Sequence, residues 1–262
     1  MGNQYSSGHP GTDATYDLSL LRKSEEKWEK SAGLRLVYGS MYESIQHHMV
    51  EGESLELGSG IGGIKAFIPD VVTSDLVKTP YVDTVCSAYD IVPSETSGTG
   101  QWSNIIAVDV LHHLRQPLGF LEEASRALAQ GGRILLMEPA GTPFGRLFYT
   151  LFHQEPISPK DIVPPFDFLP NQGPVEFANM AMGTSLFVKY RSLVEKALAE
   201  MDLKLAALHY RDLLAYPLTG GYSAPQMLPT PLLKGVLSLE KRLPQWVMRW
   251  MALRVLIVIE KH

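Results

Sequence analysis

Four glycines crowd one short stretch, Leu55-Glu56-Leu57-Gly58-Ser59-Gly60-Ile61-Gly62-Gly63, directly after the apolar run Ser54–Leu57. A glycine-rich turn at the carboxyl end of a strand lets a ligand approach the backbone where a side chain would collide. Gly58, Gly60 and Gly63 satisfy the G-x-G-x-x-G spacing of nucleotide-binding turns. Glu56 stands inside the strand end, an awkward place for a carboxylate unless a polar ligand or backbone donors meet it. The next apolar run, Val71–Ser74, is followed by Asp75, seventeen residues after Gly58. A carboxylate there accepts the two hydroxyls of an adenosine ribose.

A second set of residues suits proton chemistry. His112 and His113 follow the fourth apolar run, Asn104–Val108, at the same sheet edge. Imidazoles titrate near neutrality and serve as acids or bases. His153 with Glu155 lies in a later, irregular stretch and is a candidate for a group that closes over a substrate. Glu138, at the end of the run Arg133–Met137, points toward the same edge, either for chemistry or to tie down a loop. His47 and His48 lie on an N-terminal helix and read as surface residues. No metal is expected: the lone Cys86 excludes a cysteine cluster, and adjacent histidines do not share a helix face.

These residues need a frame, and the apolar runs supply it. Five of them, Ser54–Leu57, Val71–Ser74, Thr84–Ser87, Asn104–Val108 and Arg133–Met137, recur about every twenty residues with helices or loops between, the mark of βαβ units and a parallel sheet. A helix is expected from Pro117 to Gln130, stopped by Gly131-Gly132. Residues 17–50 read as two helices broken around Ser31 to Gly33, the second with Leu34, Val37, Tyr38, Met41 and Ile45 as its apolar stripe. Residues 140–185 break the rhythm, with five prolines from Pro156 to Pro170 and scattered aromatics, and read as a cap or lid. Met180, Met182 and Phe187 there suggest a hydrophobic or aromatic substrate region. A helix over Leu186–Met201, a strand over Leu203–Asp212, a helix over Leu232–Leu243 and a buried strand over Leu253–Ile259 complete the chain. The division is therefore an N-terminal arm and helices, 1–50, and a main domain, 51–262, carrying the insertion.

Composition sets further bounds. At 262 residues, 45% hydrophobic and 19% charged, the chain has the makings of a sizeable core; area scaling puts about 73% of the unfolded surface out of water. The net charge of −5 carries no basic stripe for nucleic acid. No apolar run approaches a membrane span, and Trp246, Met248, Trp250 and Met251 with Lys241, Arg242 and Arg249 fall short of a membrane-binding patch. The opening Met1-Gly2-Asn3-Gln4-Tyr5-Ser6 fits the loose N-myristoylation pattern, but residues 1–16 read more simply as a polar, mobile arm. A lone cysteine and no cleavable leader point to the cytoplasm.

The chain resembles the class I S-adenosylmethionine-dependent methyltransferases. The resemblance rests on Glu56 to Gly62, on Asp75, on Ile106-Ala107-Val108-Asp109-Val110-Leu111-His112-His113-Leu114, and on Leu128 to Pro139, in order across residues 53–139. It implies an α/β, Rossmann-like, seven-stranded mostly parallel sheet with one antiparallel strand and helices on both faces. It also implies that Glu56, Gly58 and Gly60 lie around the methionine part of S-adenosylmethionine, that Asp75 holds the ribose, that Val108, Asp109, Val110 and Leu111 pass beneath the sulfonium end, and that Ser59, Gly62 and Leu76 belong to the same cofactor-binding set. The family's acid near adenine is replaced by Ala88, which leaves Tyr89 to stack on the base or Asp90 to substitute. Since the sulfonium activates the methyl group, the protein needs a cofactor pocket, a dry lid and one base. The expected activity is methyl transfer to a small molecule, most plausibly at oxygen, with His113, His112 and His153 as candidate bases. The alternatives are an NAD(P)-dependent oxidoreductase and a non-catalytic S-adenosylmethionine-binding protein.

Overall fold

The structure, a computed structural model, describes residues 4–5, 16–168 and 177–262. The described residues form a seven-stranded sheet of β1 (Ser54–Leu57), β2 (Val72–Asp75), β3 (Thr84–Val85), β4 (Trp102–Val108), β5 (Leu128–Pro139), β6 (Leu203–Arg211) and β7 (Arg254–Lys261), in the order 3-2-1-4-5-7-6. Only β7 runs antiparallel to its neighbours. The strand order reverses direction between the parallel neighbours β1 and β4, and the carboxyl ends at such a switch point are the place where open parallel sheets bind ligands.

Strict alternation of buried side chains builds two cores. Ile105, Ile134, Leu136, Val255 and Ile257 face one side, with helices α3 (Pro117–Ala127) and α5 (Arg191–Glu200) over them. Ile106, Leu135, Met137, Leu256 and Val258 face the other, covered by Leu34, Met41 and Ile45 of helix α2 (Ala32–Gln46). Helix α1 (Leu18–Lys30) precedes α2, and the break between them is Ser31, whose hydroxyl accepts the Leu34 N–H.

The expected elements are present with shifted ends. Helix α3 stops at Ala127, short of Gln130, because Leu128 already pairs with Trp102. The helix expected over 186–201 opens with a wide turn at Ser185–Lys189 and settles into α5 only after Tyr190. Helices α4 (Pro143–Phe152), α6 (Thr230–Glu240) and α7 (Gln245–Met251) complete the main set. The insertion is anchored as well as capping: Ile162 and Phe166 enter the main core, as do Met182 and Phe187, which lie away from the substrate region expected for them. Gly2, Pro170 and most of the N-terminal arm lie outside the described residues. No helix among the described residues is long and apolar enough to cross a membrane.

Candidate functional site

The glycine turn is fixed by a small set of hydrogen bonds. The Ser59 N–H donates to the Ser74 carbonyl at 2.8 Å, and the Ser74 hydroxyl donates to the Glu56 carbonyl at 2.8 Å. Asp75 accepts the Gly60 N–H at 2.9 Å through Oδ2 and the Leu76 N–H at 2.8 Å through Oδ1. Gly58 and Gly62 have φ of 65° each, and a methyl group at Gly62 would stand 2.5 Å from the Tyr81 carbonyl oxygen. The turn therefore keeps glycine for conformation and for space.

Glu56, Gly58, Ser59, Gly60, Val108 and Asp109 line one cavity of about 180 Å³. Leu21, Ser24 and Trp28 of α1 roof it. Ligand pockets usually run from about 300 to 1,000 Å³, so this cavity alone is small for a nucleoside-bearing cofactor. The roof helix is held by Tyr81 donating to Glu25 at 2.5 Å, by Lys27 donating to the Ala224 carbonyl, by Arg35 donating to the Trp28 and Glu29 carbonyls, and by Trp28 packed edge-on against Tyr38 and Phe67.

Glu56 brings a buried carboxyl group to the pocket. Its carboxylate is buried and Oε2 has no hydrogen-bond partner. Burial, with the Asp75 charge adding and the Ser59 hydrogen bond opposing, pushes its pKa up to about 8. An ammonium group or other donor is what this oxygen lacks. The raised pKa has a measurable consequence. In the folded protein Glu56 keeps its proton between about pH 5 and pH 8, where the unfolded chain has lost it, so its contribution to stability falls as pH rises through that window. The urea midpoint should therefore drop more steeply from about pH 5.5 to pH 8 in the wild type than in Glu56→Gln. Parallel slopes would show that Glu56 is ionised in the empty protein.

A second cavity, of about 540 Å³, adjoins the first. Tyr38, Asp109 and Tyr222 line both. His112, His113, His153, Glu155 and the apolar Phe148, Phe152 and Met180 face the second. Asp109 adopts φ of 57°, held by its N–H to the Met137 carbonyl and by Arg254, whose guanidinium donates to Oδ1 at 2.6 Å and lies 4.9 Å from the Tyr216 ring centre.

The histidine pair lies in a 3-10 turn, Leu111–His113, rather than on an α-helix. The two rings sit 4.1 Å apart. His112 Nδ1 lies 2.7 Å from Oε2 of the fully buried Glu138, whose Oε1 accepts the Val110 and Leu111 N–H groups at 3.0 and 2.8 Å. His113 Nδ1 lies 3.2 Å from the Phe177 carbonyl. Both Nε2 atoms turn toward Glu155, at 3.4 Å from His112 and 3.8 Å from His113. Burial opposes charge on His112, but Glu138 and Glu155 outweigh it and hold its pKa up at about 10. Burial and the neighbouring His112 push His113 down.

Several expected residues do not line either cavity. Asp75 and Leu76 sit beneath the loop, Val110 packs over Gly58, and Gly62 turns the chain. The Tyr89 hydroxyl accepts the Gln116 N–H at 3.0 Å, and Asp90 forms a bridge with Ser87. The sequence reading took Tyr38 as core and gave Tyr222 and Arg254 no role. The signal for Tyr222 was available in Gly220-Gly221-Tyr222, a glycine pair and an aromatic in a stretch without period. Nothing local marks Arg254, the first residue of an apolar strand.

No protein-family model matches the chain, and no curated protein matches it in sequence. Solved structures do match. An S-adenosylmethionine-dependent methyltransferase from Thermotoga maritima is 13% identical, with 93% of this chain and 98% of that one covered, at a TM-score of 0.54. A methyltransferase of the same cofactor dependence from Archaeoglobus fulgidus is 10% identical, with 94% and 100% covered, at a TM-score of 0.52. The chain has the fold of the class I S-adenosylmethionine-dependent methyltransferases.

Proposed function

We propose that the protein transfers a methyl group from S-adenosylmethionine to an oxygen of a small-molecule acceptor. The observation that carries this reading is the shared wall: the glycine-turn pocket and the histidine-bearing cavity meet at Tyr38, Asp109 and Tyr222. Donor and acceptor held on the two sides face each other across one boundary, and alignment is the greater part of what a displacement needs.

Bound S-adenosylmethionine supplies an electron-poor methyl carbon and a leaving group that departs as a neutral thioether. The chain's own residues do the rest. Glu56 meets the ammonium of the methionine part, and Gly58 to Gly62 leave room for it. Asp75 holds the loop in shape from beneath, through the Gly60 and Leu76 N–H groups. The tyrosine faces of Tyr38 and Tyr222 suit a sulfonium, since aromatic faces attract cations. Phe148, Phe152 and Met180 favour an acceptor with an apolar or aromatic body, and α1 with the cap keeps water out. The group of His112, His113 and Glu155 activates the acceptor oxygen, with His153 at the rim.

Calorimetric titration with S-adenosylhomocysteine beside NAD and NADP tests the reading. Micromolar binding of the homocysteine compound alone is expected. Binding of a nicotinamide cofactor instead would make the protein an oxidoreductase. Cofactor binding without turnover across hydroxylated aromatic and aliphatic acceptors would make it a binding protein. With an active acceptor, His113→Ala should lower kcat about 100-fold and leave affinity for S-adenosylhomocysteine unchanged.

A further inference from the structure

We propose that His112, His113 and Glu155 form a binding site for a divalent transition-metal ion of the zinc class, in the wall of the acceptor cavity. The site stands on its own geometry. Its use, polarising the acceptor oxygen, rests on the methyl-transfer reading.

Three donor atoms, one from each residue, lie within 4.8 Å of one another. The Glu155 carboxylate lies 3.4 Å from His112 Nε2 through Oε2 and 3.8 Å from His113 Nε2 through Oε1. Ligands on a tetrahedral ion with bonds of about 2.0–2.2 Å stand roughly 3.3–3.5 Å apart, so small side-chain rotations close the site. Two imidazoles and a carboxylate are a ligand set of the zinc class, whereas magnesium and calcium take oxygen.

The outer contacts argue more strongly than the donors. Imidazoles that bind metals are held through their other nitrogen by a carboxylate or a backbone carbonyl. Here His112 is held by Glu138 at 2.7 Å, and His113 by the Phe177 carbonyl at 3.2 Å. A carbonyl only accepts, so Nδ1 of His113 donates and its Nε2 offers a lone pair toward Glu155. Glu138 is itself fixed by two backbone N–H groups. A proton bridging His112 between Glu138 and Glu155 is the competing occupant. It needs only one histidine and does not involve the second, separately anchored imidazole.

The side chains of His113 and Glu155 are 36% and 34% exposed, so the site opens onto the cavity and leaves a position for an acceptor oxygen. An ion there draws charge from the acceptor hydroxyl and eases loss of its proton to solvent at the cavity mouth. The oxygen lone pair then forms the bond to the methyl carbon, and the pair of the breaking carbon–sulfur bond stays on sulfur.

The test uses the full chain, stripped with a chelator and dialysed. Calorimetry with Zn²⁺ and elemental analysis of the reloaded protein should give one equivalent, Co²⁺ should give the intense visible bands of a four-coordinate site, and Mg²⁺ should not bind. Glu155→Gln, at a half-exposed position that tolerates the change, and His113→Ala should each weaken Zn²⁺ binding at least tenfold; Glu138→Gln should weaken it about 10- to 100-fold through His112. His209→Ala, outside both cavities, should leave it unchanged. Absence of stoichiometric Zn²⁺, or equal affinity in wild type, Glu155→Gln and His113→Ala, would overturn the proposal. S-adenosylhomocysteine titrated into the same preparations separates the two readings: its failure to bind wild type sinks methyl transfer and leaves the metal site to be judged on Zn²⁺ alone.

Discussion

Asp75→Ala should raise the dissociation constant for S-adenosylhomocysteine at least tenfold. Asp75 is buried at the end of β2, and its two oxygens hold the Gly60 and Leu76 N–H groups at 2.9 and 2.8 Å. The first bond bends the glycine turn back over the strand end, so alanine removes both an anchor of the turn and the charge beside it. Hydrogen bonds to a charged group are worth about 1.5–3 kcal/mol each, and 1.4 kcal/mol is a factor of ten in binding. Asp75→Asn separates the two roles. The amide oxygen still accepts the Gly60 N–H, but the amide NH2 then faces the Leu76 N–H, so the turn keeps one of its two anchors while the charge is lost, and the affinity should fall between those of wild type and Asp75→Ala. Calorimetry with the three proteins, beside their thermal midpoints without ligand, decides the matter. Unchanged affinity in Asp75→Ala would remove Asp75 from the cofactor site.

How much of this was legible in the sequence follows from the range of each signal. The unbroken apolar runs Ile105-Ile106-Ala107-Val108 and Ile134 to Met137 are written into consecutive residues, so a parallel sheet could be read directly; in the structure alternate residues of each run face its two cores. The glycine turn is equally local, because positive φ and close approach select a residue type at a fixed place. Element ends were harder: α3 loses its last turn to a strand pairing between Leu128 and Trp102, positions far apart in sequence. The site was least legible where it depends on contacts across the chain. Glu155 meets His112 and His113 from an irregular stretch without period, and Arg254 meets Asp109 from the last strand. Adjacent side chains diverge by about 120° in the 3-10 turn that follows β4, and the two imidazoles meet because Glu138 and the Phe177 carbonyl hold them, contacts made across the chain.

Asp109 is where fold stability and chemistry compete most directly. Its φ of 57° is a conformation that Asp and Asn tolerate and most other residues do not. Its carboxylate is the ion-pair partner of Arg254, whose side chain is 5% exposed against 31% for Asp109. The burial is unequal, so the two halves of the pair are not equivalent. Asp109→Ala leaves a guanidinium buried against Tyr216 without its counter-charge and adds left-handed strain. Breaking a buried pair costs about 3–5 kcal/mol; the partial exposure of Asp109 reduces that, and the strain adds about 1–2 kcal/mol. Loss of about 3 kcal/mol in urea unfolding is the expected result. Asp109→Asn keeps the backbone preference and loses only the charge, so it should cost less than Ala by roughly the strain, about 1 kcal/mol. Arg254→Met removes the buried member and leaves the carboxylate with access to water, so it should be the mildest of the three. Equal losses for Asn and Ala would show that the backbone carries no strain at Asp109, and a loss for Arg254→Met as large as for Asp109→Ala would show that the pair is buried evenly. Because Asp109 forms part of the wall between the two cavities, each variant should also lower turnover by more than its stability loss explains at temperatures where all three stay folded.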